Sequence, residues 1–125
     1  MGNLVLVTGG AGFIGTYVVR ALVAADRAVR VLDSLDLQVH EGRQPTLPSD
    51  VEFVEGDVAD PGVWPRALEG VSGVIHLAAA VGVGQSMYEV ARYCRANVMG
   101  TARLLEALIA RRNQTRAHRA ERAAD

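Results

Sequence analysis

The chain has 125 residues, half of them hydrophobic, with 13 basic and 14 acidic side chains and a formal net charge of −1. That length suits one domain with its own core, and the balanced composition excludes a disordered chain and any charge excess that would select nucleic acid or an anionic membrane. The single cysteine, Cys94, excludes an internal disulfide, and no apolar run is long enough to span a bilayer.

Residues 3–8 are short, apolar and β-branched, as a strand buried on both faces of a parallel sheet requires. Residues 12–25 predict a helix, with Phe13, Ile14, Val18, Leu22 and Val23 near helical spacing. Ala28–Asp33 predicts a second strand and Val51–Glu55 a third, which is followed by Gly56-Asp57. Between them, Ser34–Asp50 carries Pro45 and Pro48 and no helical stripe, so it is expected to be loop with at most one short helical turn. Asp60-Pro61 is a helix start, with Asp60 as N-cap and Pro61 at the first helical position, and Gly70 stops that helix after about Glu69. Gly73–Ala78 predicts a fourth strand. From about Gln85 a long helix should run to at least Arg111, carrying Val90, Tyr93, Cys94, Val98, Leu104, Leu105 and Leu108.

Strands alternating with helices imply an α/β fold, a Rossmann-type doubly wound parallel sheet. The composition changes at Arg111: the last fifteen residues hold five arginines and no strong apolar residue. A solvated helix end fits them better than a nucleic-acid arm, since nothing aromatic accompanies the arginines. The expected division is a cofactor domain over 1–112 and a polar, Arg-rich tail over 113–125. Met1-Gly2-Asn3 lacks the basic start of a secretory signal, which with the lone cysteine makes a cytoplasmic setting the expectation.

The chemistry-bearing motif is Thr8-Gly9-Gly10-Ala11-Gly12-Phe13-Ile14-Gly15, between the first strand and the first helix, with Asp33 closing the second strand eighteen residues past Gly15. A helix that begins at such a turn points unpaired amides and its positive dipole end at the turn, which is a site for a pyrophosphate. A side chain on Gly12 would block approach of the phosphates, and one on Gly15 would push the helix off the strand. Asp33 stands where a carboxylate accepts hydrogen bonds from the adenine ribose. A 2′-phosphate there would face a like charge, and no arginine stands among the next six residues, so NAD is expected over NADP.

With these motifs placed, the chain resembles the N-terminal part of the NAD-dependent epimerase/dehydratase family of extended short-chain dehydrogenases/reductases. Thr8–Gly15, with Gly9, Gly12 and Gly15 as its three glycines, resembles the family's glycine motif. Val31-Leu32-Asp33-Ser34-Leu35, Gly56-Asp57-Val58, His76-Leu77-Ala78-Ala79 and Asn97-Val98-Met99-Gly100-Thr101 resemble the motifs that follow it, in the expected order. The resemblance implies about four strands in the order 3-2-1-4. It implies that Phe13 and Ile14 offer backbone amides to the pyrophosphate, and that Asp57 and Val58 border the adenine. Ala78 and Ala79 would pass beneath the nicotinamide-side ribose, Asn97 would reach back toward the cofactor, and Gly82–Ser86 would lie at the entrance to a sugar-nucleotide pocket. His76, Tyr17, Tyr88, Tyr93, Trp64 and Cys94 are read as packing or hydrogen-bonded residues.

Relatives of this kind work through a Tyr-x-x-x-Lys pair with a Ser or Thr, downstream of the Asn97 motif, and all thirteen basic residues here are arginines. Four positions beyond Tyr17, Tyr88 and Tyr93 stand Ala21, Arg92 and Asn97. No catalytic residue and no metal ligand is therefore assigned. The expected function is the NAD-binding portion of a nucleotide-sugar epimerase/dehydratase-like protein, inactive alone. The alternatives are a non-enzymatic NAD-responsive module and one half of a split enzyme. The order 3-2-1-4 leaves strand four with an open edge, through which self-association or a complementing chain is expected.

Overall fold

The structure, a computed structural model, describes residues 2–35, 47–80 and 87–125. Four strands, β1 (Leu4–Thr8), β2 (Ala28–Asp33), β3 (Glu52–Glu55) and β4 (Gly73–His76), form one parallel sheet in the order β3-β2-β1-β4. The expected doubly wound, Rossmann-type α/β fold is therefore present. Helix α1 (Phe13–Ala24) links β1 to β2. A 3₁₀ turn (Pro61–Val63) runs into α2 (Trp64–Leu68), and beyond β4 come α3 (Val90–Cys94), a π-helical segment (Arg95–Met99) and α4 (Gly100–Ala124). The loop expected over Ser34–Asp50 has no helix or strand at its described ends, and its centre lies outside the described residues.

Alternation along the strands builds two cores, one on each face of the sheet. Val7, Val29 and Val31 pack against Val19, with Val18 and Leu22, under α1. Leu6, Leu32 and Val54 face the other way, against Trp64, Ala67, Leu68 and Leu104 of α2 and α4. Trp64 is 1% exposed and its indole Nε1 donates to the Val58 carbonyl at 3.0 Å, so it packs its helix onto the sheet as expected. Burying an indole of this size contributes on the order of 3 kcal/mol. Asp60 caps the turn before α2 by accepting from the Gly62 amide at 2.9 Å, and Gly70, at φ +75°, ends the segment as the sequence predicts.

Arg30 was not singled out from the sequence. It occupies an interior position of β2 yet is 7% exposed. Its guanidinium donates to Glu52 at 2.9 Å and to the carbonyls of Arg66, Ala67 and Glu69 at 3.2, 2.8 and 2.7 Å. A buried cation thus closes the C-terminal end of α2, where the helix dipole is negative and the last carbonyls lack intrahelical donors.

Three expectations change. Strand β4 stops at His76 rather than Ala78, because β1 ends at Thr8 and the next amides turn to Thr8 itself: Leu77 donates to its carbonyl and hydroxyl, Ala78 to its hydroxyl. On α1 the buried positions are Gly15 and Val19, while Phe13 and Ile14 are exposed, since the face that meets the turn is the one bearing Gly15. Cys94, Tyr17 and Tyr88 are exposed rather than packed in the core; Tyr17 meets Phe13 in an edge-to-face pair, 5.6 Å between centroids. Val90, Val98, Leu105 and Ile109 also face solvent. Residues 113–124 continue α4 as exposed helix.

Candidate cofactor site

The carboxyl ends of the strands carry the site, at the reversal of strand order between β1, β2 and β4, where parallel sheets open a crevice. The turn from β1 to α1 is shaped by its glycines. Gly9 has φ +69°, and a Cβ there would stand 2.9 Å from the Ala78 nitrogen, so the strip after β4 runs directly against the turn. A Cβ on Gly15 would strike the Gly9 carbonyl and the Gly10 backbone. The obstruction is thus the glycine turn itself rather than the strand behind it. Gly12, by contrast, would present its Cβ to the Gly9 carbonyl alone, at 3.2 Å, which leaves its outer side open. Gly10, missed in the sequence reading, is buried against Val31, and a Cβ there would lie 2.7 Å from that side chain.

Gly12 is the N-cap of α1 and offers no side-chain cap. The first intrahelical bond runs from the Thr16 amide to the Gly12 carbonyl at 3.0 Å, so the amides of Phe13, Ile14 and Gly15 have no acceptor within the helix. Open amides at a dipole's positive end favour an anion.

Asp33 holds this turn in place. Its Oδ2 accepts from the Ala11 amide at 3.1 Å and its Oδ1 from the Leu35 amide at 2.9 Å. The Gly56 amide donates to the Asp33 carbonyl at 3.1 Å, which brings the Gly56-Asp57 turn alongside. Asp57 caps that turn through the Ala59 amide at 2.9 Å and pairs with Arg95 at 3.0 Å. Val58 points into the core and its carbonyl is taken by Trp64, which leaves Asp57 as the polar side chain of this turn.

On the other side of the crevice, Ala78 is half-buried and Ala79 exposed. Asn97 lies in the π-helical segment and clasps Ala80 with both polar atoms, accepting from its amide at 2.7 Å and donating to its carbonyl at 3.0 Å. A π-helical insertion at such a point is common beside functional sites. Gly82–Ser86 lies outside the described residues. His76 bridges the hydroxyls of Thr8, at 2.6 Å, and Thr101, at 3.2 Å, so it is hydrogen-bonded as expected. Burial lowers its pKa, which keeps the ring neutral.

The structure therefore joins Gly9, Gly12, Phe13, Ile14, Gly15 and Asp33 into one turn, sets Asp57 beside it, and ties Ala78, Ala79 and Asn97 into the facing strip. Thr8, Thr101 and Ala80 were missed. Thr8 stands at the head of the glycine motif, and its polarity in an otherwise apolar strand is the signal that could have found it. A groove of about 490 Å³ between α2 and α4, lined by Leu68, Ala107 and Ala110 among others, contains none of these residues. Among the described residues, no His/Cys/Asp/Glu cluster suits a metal and no helix is long and apolar enough to cross a membrane.

A model of the NAD dependent epimerase/dehydratase family matches residues 5–120. The chain is 41% identical over 112 residues to a dTDP-L-rhamnose 4-epimerase of Burkholderia thailandensis, covering 86% of this chain and 31% of that one. It is 39% identical over 119 residues to a dTDP-glucose 4,6-dehydratase of Mycobacterium tuberculosis, covering 90% and 34%. Among solved structures, a UDP-glucose 4-epimerase superposes with a TM-score of 0.78 at 31% identity, over 87% of this chain and 32% of that one. The Thermus thermophilus UDP-glucose 4-epimerase, in complex with NAD, superposes with a TM-score of 0.74 at 37% identity, over 83% and 33%. The chain thus spans about a third of the length of the relatives it matches.

Proposed function

This chain belongs to the NAD-dependent epimerase/dehydratase family, and we propose that it is the NAD-holding portion of a nucleotide-sugar epimerase/dehydratase-like protein, without catalytic competence of its own. The observation that carries this reading is the α1 start. Its amides are open, no side chain caps it, and Asp33 braces the turn from behind. In this reading the pyrophosphate rests on the Phe13 and Ile14 amides, close in because Gly12 has no side chain. The adenine ribose meets Asp33 and the adenine lies by Asp57. The nicotinamide-side ribose crosses the Ala78-Ala79 strip. Bound NAD would supply hydride acceptance and return; the residues here bind and orient it.

The residue inventory supports the proposed lack of catalytic competence. The chain has no lysine and no Tyr-x-x-x-Lys pair, and His76, whose pKa burial lowers, is hydrogen-bonded on both ring nitrogens. Asp33 supports NAD over NADP, because a 2′-phosphate beside it would bring two negative charges together at a cost on the order of 1 kcal/mol or more.

Calorimetric titration with NAD⁺ and NADP⁺ tests the assignment. Wild type should bind NAD⁺ about tenfold or more tightly than NADP⁺, and Asp33→Ala should erase that ratio. The ratio is the useful quantity, since loss of the Ala11 and Leu35 bonds would weaken both cofactors alike. Equal affinities in wild type would remove Asp33 from cofactor selection.

A second reading concerns partners. Among the described residues strand β4 pairs with β1 alone, and Val98, Met99, Leu105 and Ile109 are exposed on the helical elements that follow it in the chain. An open edge with apolar neighbours favours completion by a second copy or a complementing chain. A monomer by sedimentation at high concentration, with a robust thermal transition, would count against it.

A further inference from the structure

A continuous chain of hydrogen bonds links the end of β1 to the π-helical segment, and its directions are determined. The Thr8 hydroxyl oxygen accepts from the Ala78 amide at 3.1 Å and shares the Leu77 amide, at 3.0 Å, with the Thr8 carbonyl. Its own proton is left for His76 Nδ1, 2.6 Å away. The ring must therefore accept at Nδ1, and a neutral ring then carries its proton on Nε2, 3.2 Å from the Thr101 hydroxyl. Thr101 donates onward to the Asn97 carbonyl at 3.0 Å, and the Asn97 amide clasps Ala80. In this arrangement every donor meets an acceptor. The Nδ1–H tautomer and the imidazolium would each set a ring proton against the Thr8 proton, leaving a buried donor without an acceptor.

We propose that His76, held as the Nε2–H tautomer, is a positioning residue for dinucleotide binding, which couples the end of β1 to the π-helical segment and so fixes the Leu77–Ala80 strip against the glycine turn. The proposal rests on the cofactor reading above. The register of this strip is tight: the Ala78 nitrogen lies only 2.9 Å from where a Gly9 Cβ would stand. The strip is also held at Ala80 by Asn97, whose backbone carbonyl is where the hydrogen-bond relay ends. A histidine that merely filled the core would need neither a particular tautomer nor a link to Asn97. Burial, which lowers the ring's pKa, works in the same direction by keeping it neutral.

Nitrogen-15 NMR of the wild-type protein at about neutral pH, followed by amide exchange and NAD⁺ titration of variants, tests this. His76 should show an unprotonated Nδ1 and a protonated Nε2. His76→Ala should speed exchange at Leu77, Ala78 and Ala80 while Val7 and Val31 keep their protection, and should weaken NAD⁺ by about tenfold. Thr101→Val removes only the far hydroxyl of the chain and should leave the fold intact. It should speed exchange at Ala80 alone and weaken NAD⁺ by about threefold. A protonated Nδ1, unchanged exchange at Ala80 in both variants, or loosened amides with unaltered NAD⁺ affinity would each overturn the proposal. A wild type that binds no NAD⁺ would overturn the cofactor reading instead, and the tautomer and exchange results would still decide the coupling.

Discussion

The two sides of the crevice are held by different means. On the β2 side, the glycine turn is locked by backbone shape and by one carboxylate: Gly9 at φ +69°, the contact of Gly15 with Gly9 and Gly10, and Asp33 across to Ala11. On the β4 side, the strip after the strand has left the sheet and hangs on hydrogen bonds to Thr8 and to the Asn97 side chain, which His76 and Thr101 link to each other. Farther along, Met87, Tyr88, Val90, Val98 and Met99 are exposed. The first side is complete from local chain geometry; the second depends on a relay spread over residues distant in sequence. A cofactor end gripped by the first side should therefore tolerate change on the second, and the reverse should not hold.

Substitution on the locked side should have the largest effect. Gly15→Val would drive a branched side chain into the Gly9 carbonyl, and is expected to cost about 3 kcal/mol or more in urea unfolding, with loss of any cofactor binding. A cost under about 1 kcal/mol would mean that the turn is soft and that the contrast between the sides is wrong. Next comes Arg30→Met. It keeps the stem but strands the carbonyls of Arg66, Ala67 and Glu69, and should cost about 2 kcal/mol without altering the glycine turn's amide shifts.

Acid should act on the relay before the turn. The folded protein holds His76 below its ordinary value near 6.5, so the unfolded chain binds the extra proton first. Stability from this group is full above about pH 6.5 and declines as pH falls toward the folded value. Thermal unfolding between neutral and mildly acidic pH should show that decline, and His76→Gln should flatten it. A slope unchanged in the variant would assign the pH dependence to other groups. The smallest effect belongs to Leu105→Ser on the exposed face of α4, with less than about 0.5 kcal/mol expected for an isolated chain. A larger, concentration-dependent loss would show that this face is covered by a second copy.

The same division separates what could be read from the sequence and what could not. The strand order came from the resemblance to the family, not from a local rule. Glycine spacing and the place of Asp33 at the end of β2 were readable because each depends on such a rule: a helix start, a tight turn, a strand end. The helix entry at Asp60-Pro61 and its stop at Gly70 were readable for the same reason. Arg30 was not, because an arginine in a strand reads as an edge or surface residue until α2 is folded over it. The exposure of Phe13, Ile14 and Cys94 was not either, since periodicity locates a face without saying whether anything packs on it. The π-helical insertion at Arg95–Met99 also leaves no mark in residue type; it reveals itself only through Asn97 holding Ala80.

The most direct test of the two-sided account is amide chemical-shift mapping with NAD⁺ and, separately, with ADP. The account predicts that ADP shifts Ala11–Gly15, Asp33 and Asp57 alone, and that NAD⁺ shifts these together with Leu77–Ala80 and Asn97. Shifts confined to the glycine turn with both ligands, or no saturable shifts with either, would contradict the claim that these residues form one dinucleotide site.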